Sequence, residues 1–220
     1  MDERLSAAAG LFPTVRIGAD IGANHGLLAC QLLKTDKAQR MWITDLSADA
    51  LKQARRNVQI QGLTERAAFA VGDGLTALPE PVDAAVILGM GGNTAAGIIE
   101  SAPKERLPET LIVSTHTKHA RVRRSLYRQG YEIHEEVVVF CGGRYYVLER
   151  AERSADAQMP DERTLFLGPC LMKTSSSAYR AYLARKLAAY QPSRSPEGIR
   201  CYEWLREEAV RASADSQSSP

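Results

Sequence analysis

The sequence predicts an α/β fold with a mostly parallel sheet, and three features indicate it. Apolar runs with the spacing of strands alternate with stretches of helical spacing up to residue 128. Glycine-rich turns follow the first and fourth runs, at 22–26 and 89–92. Two β-rich segments, at 131–140 and 144–150, then form a hairpin. Ligands of such sheets bind at the carboxyl ends of the strands, so residues that follow each strand are the first candidates for function.

The predicted elements divide the chain into two parts and a tail. The first part, 1–153, holds the alternating strands and helices, and a polar linker is expected over 151–163. A helical extension follows over 163–212, as two helical patterns joined in an αα-hairpin. Residues 213–220 are expected to be disordered. The predicted strands begin at Val15 and then cover 40–44, 67–71, 82–88 and 110–115, and the predicted helices cover 3–12, a stretch from Leu27, 47–61, 92–99, 118–128, 178–190 and 197–212.

Composition restricts the class of protein. A length of 220 residues suits one full α/β domain and a small appendage. The formal net charge of +2 is no basic excess over the whole chain, so any nucleic-acid surface must be local. The cysteines at 30, 141, 170 and 201 are too scattered to indicate zinc or a disulfide framework, and we expect reduced thiols and no metal. No apolar run has the length of a signal peptide or a membrane span, so we expect a soluble, cytoplasmic protein.

The first glycine turn is the segment Asp20-Ile21-Gly22-Ala23-Asn24-His25-Gly26, between a strand and a helix. Glycines at 22 and 26 allow a sharp turn and a close approach of a ligand to the main chain. The helix that follows offers unpaired N–H groups to polar ligand atoms. A nucleotide-like ligand fits this arrangement. A purely structural turn remains the alternative, because the dinucleotide fingerprint would have a third glycine at position 24.

Two carboxylates follow later strands at positions where a nucleoside could be bound. Asp45 lies 23 residues after Gly22, and an acid about 20 residues beyond the glycine turn accepts hydrogen bonds from ribose hydroxyls in doubly wound folds. Capping of the next helix by Asp45 or Ser47 is the alternative. Asp73 stands between Gly72 and Gly74, where it could bind an adenine amino group or form a plain Asx turn.

The fourth strand is followed by Gly89-Met90-Gly91-Gly92, and three glycines at a carboxyl edge indicate backbone packed against a ligand or substrate.

Basic residues are concentrated in two later segments. The 118–128 helix has five Lys/Arg and no acid, and 163–212 has nine Lys/Arg against four Asp/Glu. Either a solvated face or phosphate contacts would explain them. Near the amino terminus we expect Arg4 to be solvated.

The terminal hairpin departs from a plain dinucleotide-binding domain, because it ends the sheet in an antiparallel strand. That arrangement is typical of class I S-adenosylmethionine methyltransferases. We therefore predict a Rossmann-like sheet of that class with S-adenosyl-L-methionine across the carboxyl ends of strands one to four. The predicted cofactor-binding residues are Asp20, Gly22, Gly26, Asp45, Asp73, Gly74, Gly89 and Gly91.

Over nearly its whole length the chain resembles the bacterial tRNA (adenine-22)-N1 methyltransferase family. The matching motifs are Arg4-Leu5, Asp20-Ile-Gly with His25, Gly72-Asp-Gly-Leu75, Gly89-Met-Gly-Gly92 and Phe166-Leu-Gly-Pro-Cys-Leu-Met-Lys173. The resemblance implies a Rossmann-like catalytic domain, a C-terminal helical hairpin, S-adenosylmethionine as methyl donor and tRNA as substrate. The chain departs from the family at Asn24, where Asp is usual, and at Thr115-His116, where Pro-Asn is usual.

Methylation of adenine N1 requires an aligned nucleophile more than a base, because that nitrogen already carries a lone pair. N1 is hidden in a Watson–Crick pair, so the base must be unpaired and read in a pocket. We predict that Asn24, His25, Met90 and His116 line this pocket, with structural hydrogen bonding as the alternative for both histidines. The predicted RNA-binding residues are Lys118, Arg121, Arg123, Arg124, Arg128, Arg180, Arg185 and Lys186.

Two other functions are compatible with the sequence. One is a methyltransferase of small molecules whose helical hairpin serves as a lid or a dimer arm. The other is a catalytically weak RNA-binding member of the fold that keeps the ligand pocket. Methylation of an exocyclic amine is disfavoured, since the Asn/Asp-Pro-Pro-aromatic run of such enzymes is replaced by Gly89-Met-Gly-Gly92. We expect a monomer.

Overall fold

In a computed structural model, which describes residues 2–190 and 195–214, seven strands form a single sheet. The strand order is β3-β2-β1-β4-β5-β7-β6, with β1 to β5 parallel and β7 antiparallel to both of its neighbours. The predicted fold class is thereby confirmed. The strands are β1 (Val15–Ile21), β2 (Ala38–Asp45), β3 (Ala67–Val71), β4 (Ala84–Ile87), β5 (Thr110–Thr115), β6 (Tyr131–Cys141) and β7 (Arg144–Arg153).

The α-helices of the described residues connect the strands and then continue as a C-terminal group. They are α1 (Glu3–Leu11), α2 (Leu27–Lys34), α3 (Ala48–Ile60), α4 (Gly92–Ser101), α5 (His119–Arg128), α6 (Glu162–Leu167), α7 (Ser177–Ala189) and α8 (Pro196–Ala214). Short 3₁₀ turns lie at Thr64–Arg66, Gly74–Ala77, Lys104–Arg106 and Leu171–Lys173.

Most predicted elements occur where the sequence indicated, with ends that differ by a few residues, and one helix was not predicted. The β7 strand continues to Arg153, because Ala151 pairs with the interior of both neighbouring strands, so 151–153 is not part of a linker. Helix α6 was not predicted separately, although Asp161 caps it by accepting a hydrogen bond from Thr164 N at 2.7 Å. Helix α8 extends two residues into the predicted tail. The connection at 191–194 and the tail over 215–220 lie outside the described residues.

Helices cover both faces of the sheet, and the strands direct apolar side chains alternately to each face. One hydrophobic cluster packs α4 and α5 against the face that carries Ile21 and Ile87, and another packs α1, α2 and α3 against the opposite face. Gly18 illustrates how closely the second layer approaches, since a Cβ there would lie 2.9 Å from Cζ of Phe12, the residue that ends α1. A third cluster joins α7 and α8 to Val147 of β7. The C-terminal helices therefore share a core with the sheet.

A buried ionic triad connects α5 to the hairpin of β6 and β7. Arg123 is fully buried, and its guanidinium lies 2.7 Å from Glu136 Oε1 and 3.0 Å from Glu149 Oε1. Both carboxylates are buried as well. Burial raises the pKa of Glu149 to about 8 against the opposing pull of Arg123. A protonated Glu149 leaves one guanidinium opposite one carboxylate, which is the charge balance that a dry interior favours.

The same triad fixes the segment that begins the C-terminal group. Arg123 Nη1 donates to the carbonyl oxygen of Leu165 at 2.8 Å, and Glu136 Oε2 accepts from Cys170 N at 2.8 Å and Leu171 N at 3.1 Å. Gly168 lies between these contacts, where a Cβ would be 2.7 Å from the Glu136 carboxylate. The Gly-Pro-Cys-Leu motif thus leaves room for the buried carboxylate of Glu136 and donates two backbone N–H groups to it.

Replacement of Arg123 by Ala should be strongly destabilising, because it leaves two buried carboxyl groups and the Leu165 carbonyl without their partner. We expect a loss of about 3 to 5 kcal/mol in the free energy of unfolding, measured by urea denaturation. The control is Arg124→Ala, which removes a neighbouring guanidinium whose partner Glu162 is exposed. That change should cost within about 1 kcal/mol. Equal losses in the two variants would contradict a structural role for the triad.

Candidate functional site

A cavity of about 230 Å³ lies at the carboxyl edge of the sheet, where the strand order reverses between β1 and β4. Such a reversal opens a crevice between the turns that leave the two strands. The wall comes from those turns, the start of α2 and the start of α1. The lining residues are Arg4, Leu5, Asp20, Gly22, Ala23, Asn24, His25, Leu27, Leu28, Leu88, Gly89 and Met90. Six predicted site residues are therefore brought together: Asp20, Gly22, Asn24, His25, Gly89 and Met90.

Gly22 lets the two turns approach each other closely. Its φ of 67° lies in the left-handed region, and a Cβ at this position would be only 2.1 Å from Met90 Cε. Any side chain at 22 would therefore displace Met90 and narrow the cavity. Gly92 allows a similarly close approach between the turn after β4 and the turn after β5, since a Cβ at 92 would lie 2.2 Å from the carbonyl oxygen of Thr117. The two glycines thus allow the turns after β1, β4 and β5 to pack against one another.

Asp20 places a buried carboxyl group in the wall of the cavity. It is 3 % exposed and accepts a hydrogen bond from Ala29 N at 3.3 Å. Among the described residues, no cation lies within ion-pair distance of it. Burial, with a smaller contribution from Asp45, raises the pKa of Asp20 to about 7. A cationic group of a ligand would stabilise the ionised form.

Arg4 lines the same cavity, and the expectation that it is solvated was wrong. Its guanidinium carbon lies 5.0 Å from the centroid of the Tyr146 ring, and Asp2 stands 3.4 Å from one terminal nitrogen. The Nε atom is buried and has no hydrogen-bond partner within the described residues. Sequence pattern could not show this, because α1 reaches the carboxyl edge only through tertiary packing. The signal available was the Arg4-Leu5 pair itself, which belonged to the family motifs.

Asp45 connects the second strand to the first turn. Its carboxylate accepts hydrogen bonds from Asn24 N at 3.1 Å and Ser47 N at 2.9 Å, while Ser47 caps α3. Capping and ligand binding are therefore compatible at this position, because a carboxylate can accept more than two hydrogen bonds. Asn24 has a φ of 48°, a left-handed conformation that Asn and Asp tolerate better than other residues. Replacement of the family's usual Asp by Asn24 thus preserves the backbone turn.

The remaining predicted cofactor residues lie around the cavity but do not line it. Asp73 is exposed at the end of β3, and no side-chain hydrogen bond of an Asx turn is formed within the described residues. Gly74 is buried against Ile98, where a Cβ would be 2.7 Å away, and Gly26 faces Ala54. Close packing and a left-handed φ, of 54° at Gly74 and 64° at Gly26, are structural reasons for these two glycines. Gly91 precedes α4 as its N-cap.

His116 does not line this cavity. It borders two others, of about 790 Å³ and 220 Å³, that lie toward the C-terminal helices. Its ring lies edge-on to that of Tyr146, with centroids 6.2 Å apart, and Tyr146 in turn stacks under Arg4. The three side chains thus form a contiguous row between the cavities. His116 is therefore a neighbour of the first cavity and not part of its wall.

The predicted RNA-binding residues differ in their availability to a phosphate. Arg123 was predicted wrongly, because it is fully buried and already bound to Glu136 and Glu149. Arg121 and Arg124 are paired with Glu100 and Glu162. Arg180 donates to a backbone carbonyl, and Lys186 is partly buried over aromatic rings. Of the exposed members, Lys118, Arg128 and Arg185 have no carboxylate partner among the described residues, and Arg144, which was not predicted, shares the cavity of about 220 Å³ with Arg185.

Two further observations concern the described residues as a whole. No helix over 2–190 and 195–214 has the length and apolar character to cross a bilayer. In the same part of the chain, His, Cys, Asp and Glu side chains form no group of three that could hold a metal ion.

A family model described as a methyltransferase domain matches residues 1–148. The chain belongs to this family, and the match confirms the predicted class. This chain is 29% identical, over 186 residues, to the tRNA (adenine(22)-N(1))-methyltransferase of Bacillus subtilis, and the aligned part covers 81% of this chain and 78% of the relative.

Solved structures agree with the fold over almost the entire chain. A Streptococcus pneumoniae protein in complex with S-adenosyl-L-methionine superposes with a TM-score of 0.87 at 21% identity, covering 95% of this chain and 99% of the other. The TrmK protein of M. capricolum, in complex with S-adenosyl-homocysteine, gives a TM-score of 0.80 at 20% identity, with 97% and 98% covered. The C-terminal helices are thus part of the shared fold.

The raised pKa of Asp20 makes the stability of the ligand-free protein depend on pH. Its folded-state pKa of about 7 lies above the value of about 4 in an unfolded chain, so the folded state binds the proton more tightly. This contribution to stability is present at low pH and is lost as the pH rises from about 4 to about 7. Asp20→Asn removes that loss. Relative to wild type, we expect the variant to gain roughly 2 to 4 kcal/mol between pH 5 and pH 8.

Urea denaturation at the two pH values measures this difference. Asp49→Asn is the control, since Asp49 is exposed in the first turn of α3 and its substitution should leave the pH dependence unchanged. A constant offset between Asp20→Asn and wild type at both pH values would contradict a perturbed Asp20.

Proposed function

We propose that this protein is an S-adenosylmethionine-dependent methyltransferase that methylates N1 of adenine 22 in the D-arm of tRNA. The observation that carries the proposal is that Asp20 and Arg4 both line one cavity at the β1/β4 switch point. A free amino acid moiety carries one ammonium and one carboxylate, and these two side chains offer a complementary charge to each. Similarity to the B. subtilis enzyme over most of both chains supports the substrate.

The donor set of the site fits S-adenosylmethionine from one end to the other. Asp20 would accept from the ammonium group, and the unpartnered Arg4 Nε would donate to the carboxylate. Asp45, at the end of β2, would bind the ribose hydroxyls, and the exposed Asp73, at the end of β3, would bind the adenine amino group. When bound, the cofactor supplies an electrophilic methyl group on a sulfonium centre.

The residues near the reacting edge have to position the base and not to deprotonate it. Adenine N1 carries its own lone pair, so alignment is the main requirement. Asn24 and His25 are exposed at the mouth of the cavity, and Met90 forms its opposite wall. The methylated base is cationic, and the carbonyl oxygen of Asn24 is an acceptor suited to a neighbouring positive charge. His116 would act on the first cavity indirectly, because its ring contacts Tyr146 and Tyr146 in turn contacts Arg4.

The exposed cations Lys118, Arg144 and Arg185 border the region of His116 and provide a surface for tRNA phosphates. Phosphate contacts of this kind would hold the tRNA without reading its sequence. A cytoplasmic location and a monomeric state remain predictions.

The first test of this proposal concerns the cofactor. Asp45→Ala should weaken binding of S-adenosylmethionine by roughly 1 to 3 kcal/mol in calorimetry, the range for leaving hydrogen-bonding partners unpaired. Asp49→Ala is the matched control, because it removes an exposed carboxylate four residues further along the chain. The control should bind as wild type does. If both variants retain wild-type affinity, Asp45 is not part of the site.

The second test concerns the reaction itself. Purified protein is incubated with S-adenosylmethionine and unmodified tRNA, and reverse transcription then reports N1-methyladenosine as a stop. We expect a stop at position 22 that disappears when adenine 22 is replaced by guanine in the tRNA. Full-length products from every tRNA, in a preparation that binds the cofactor, would reject the proposal in favour of a small-molecule methyltransferase.

A third test concerns the tRNA surface. Lys118→Glu and Arg185→Glu should each weaken tRNA binding. Each should also lower the slope of log Kd against log salt concentration by about one unit, the contribution of one phosphate contact. Arg16→Glu makes the same charge change at the start of β1, on the opposite edge of the sheet. This control should have a much smaller effect on affinity. Equal weakening by all three variants would indicate a general charge effect.

A further inference from the structure

The second cavity, of about 790 Å³, lies between the beginning of α5 and the helices α6, α7 and α8. Its size is within the range of about 300 to 1,000 Å³ that is usual for ligand pockets. It is distinct from the cavity at the β1/β4 switch point and shares no lining residue with it. The two are nevertheless close, because Thr117 borders the second cavity and Thr117 Oγ1 accepts from Gly92 N at 3.5 Å.

Aromatic rings from three helices face this cavity. Phe166 of α6 and Trp204 of α8 are in contact, with ring centroids 6.2 Å apart, and Tyr182 comes from α7. Aromatic side chains of this kind stack with nucleobases of any sequence, because every base has a flat π-face. A flat, unsaturated ring is therefore a ligand group that the wall can recognise.

The cavity also has an excess of positive charge. Five Lys/Arg and two Glu line it. Among the described residues, no carboxylate is paired with Lys118, Lys186 or Arg200. Arg121 and Arg124, by contrast, are paired with Glu100 and Glu162.

Lys186 is the cation nearest to the aromatic rings. Its Nζ lies 4.3 Å from the centroid of Phe166 and 5.4 Å from that of Tyr182. Burial and then the nearby Arg123 lower the pKa of Lys186 to about 7. His119 is held neutral beside it, as burial and then Arg123 lower its pKa well below the usual value. A phosphate at this position would supply the missing counter-charge.

We propose that this cavity binds one nucleotide of the substrate RNA other than the methylated adenine, with its base against Phe166 and Trp204 and its phosphate at Lys186 and Arg200. The inference rests on the proposed function, since it takes RNA as the substrate. An unpaired nucleotide held beside the first cavity would position the RNA for the reaction. A nucleotide site here would also give a functional reason for the packing of the C-terminal helices against the sheet.

Trp204 provides a direct test, because the chain has only one other tryptophan, Trp42. Trp42 lies on β2, where its Nε1 donates to Glu80 at 2.9 Å, and it does not border the cavity. In a Trp42→Phe background, tRNA should quench the emission of Trp204, and heparin, a polyanion without bases, should not. Unchanged emission at tRNA concentrations that saturate binding in a gel-shift assay would overturn the proposal. Quenching by free AMP but not by tRNA would also overturn it, because the ligand would then be a free nucleotide.

A variant with an unaltered fold supplies the second readout. Lys186→Met removes the charge, keeps the length of the side chain and relieves the repulsion by Arg123. We expect about a tenfold increase in KM for tRNA, with no loss of melting temperature and with the affinity for S-adenosylmethionine unchanged. Arg206→Met makes the same charge change on an exposed position of α8 outside the cavity and should change KM less than twofold.

The outcomes separate this proposal from the proposed function. Wild-type KM in the Lys186→Met variant, with normal methylation, would overturn the nucleotide site and leave the methyltransferase assignment intact. Quenching of Trp204 by tRNA without any methylation would support the nucleotide site and reject the assignment of the reaction.

Discussion

The buried contact of Arg123 with Glu136 and Glu149 determines how the two parts of this protein are joined. A guanidinium that is removed from water must be paired, and here its partners come from both strands of the terminal hairpin. Arg123 and Glu136 make further hydrogen bonds to backbone groups at Leu165, Cys170 and Leu171. Sheet and C-terminal helices are consequently parts of one polar network.

This network also explains a sequence motif that has no direct role in the first cavity. In Phe166-Leu-Gly-Pro-Cys-Leu-Met-Lys173, the glycine must lack a side chain because the Glu136 carboxylate occupies that space. The two backbone N–H groups that follow complete the shell of Glu136. Phe166 is then placed in the wall of the second cavity. A motif can thus support function by fixing the position of an element, without touching the reacting atoms.

The first cavity shows the opposite situation, in which polar groups are left without internal partners. Within the part of the chain that the structure describes, Asp20 is buried without a cation and Arg4 Nε is buried without an acceptor. Both arrangements reduce stability in the ligand-free protein, since a buried polar group without a partner retains its desolvation cost. A ligand that carries the complementary charges would recover that free energy on binding. Unsatisfied charge at this edge of the sheet is therefore consistent with a site and not with a core.

The sequence by itself determined the fold class, the approximate positions of the strands and the turns that surround the first cavity. These are local properties, since hydrophobic periodicity and glycine turns depend on residues that are neighbours in the chain. The location of Arg4, the burial of Arg123 and the separation of His116 from the first cavity were decided only by the tertiary structure. A basic run such as 118–128 has the same composition whether its members are solvated or paired with distant carboxylates. Glu136 and Glu149 come from a later hairpin, and only the packing of that hairpin against α5 makes Arg123 an interior residue.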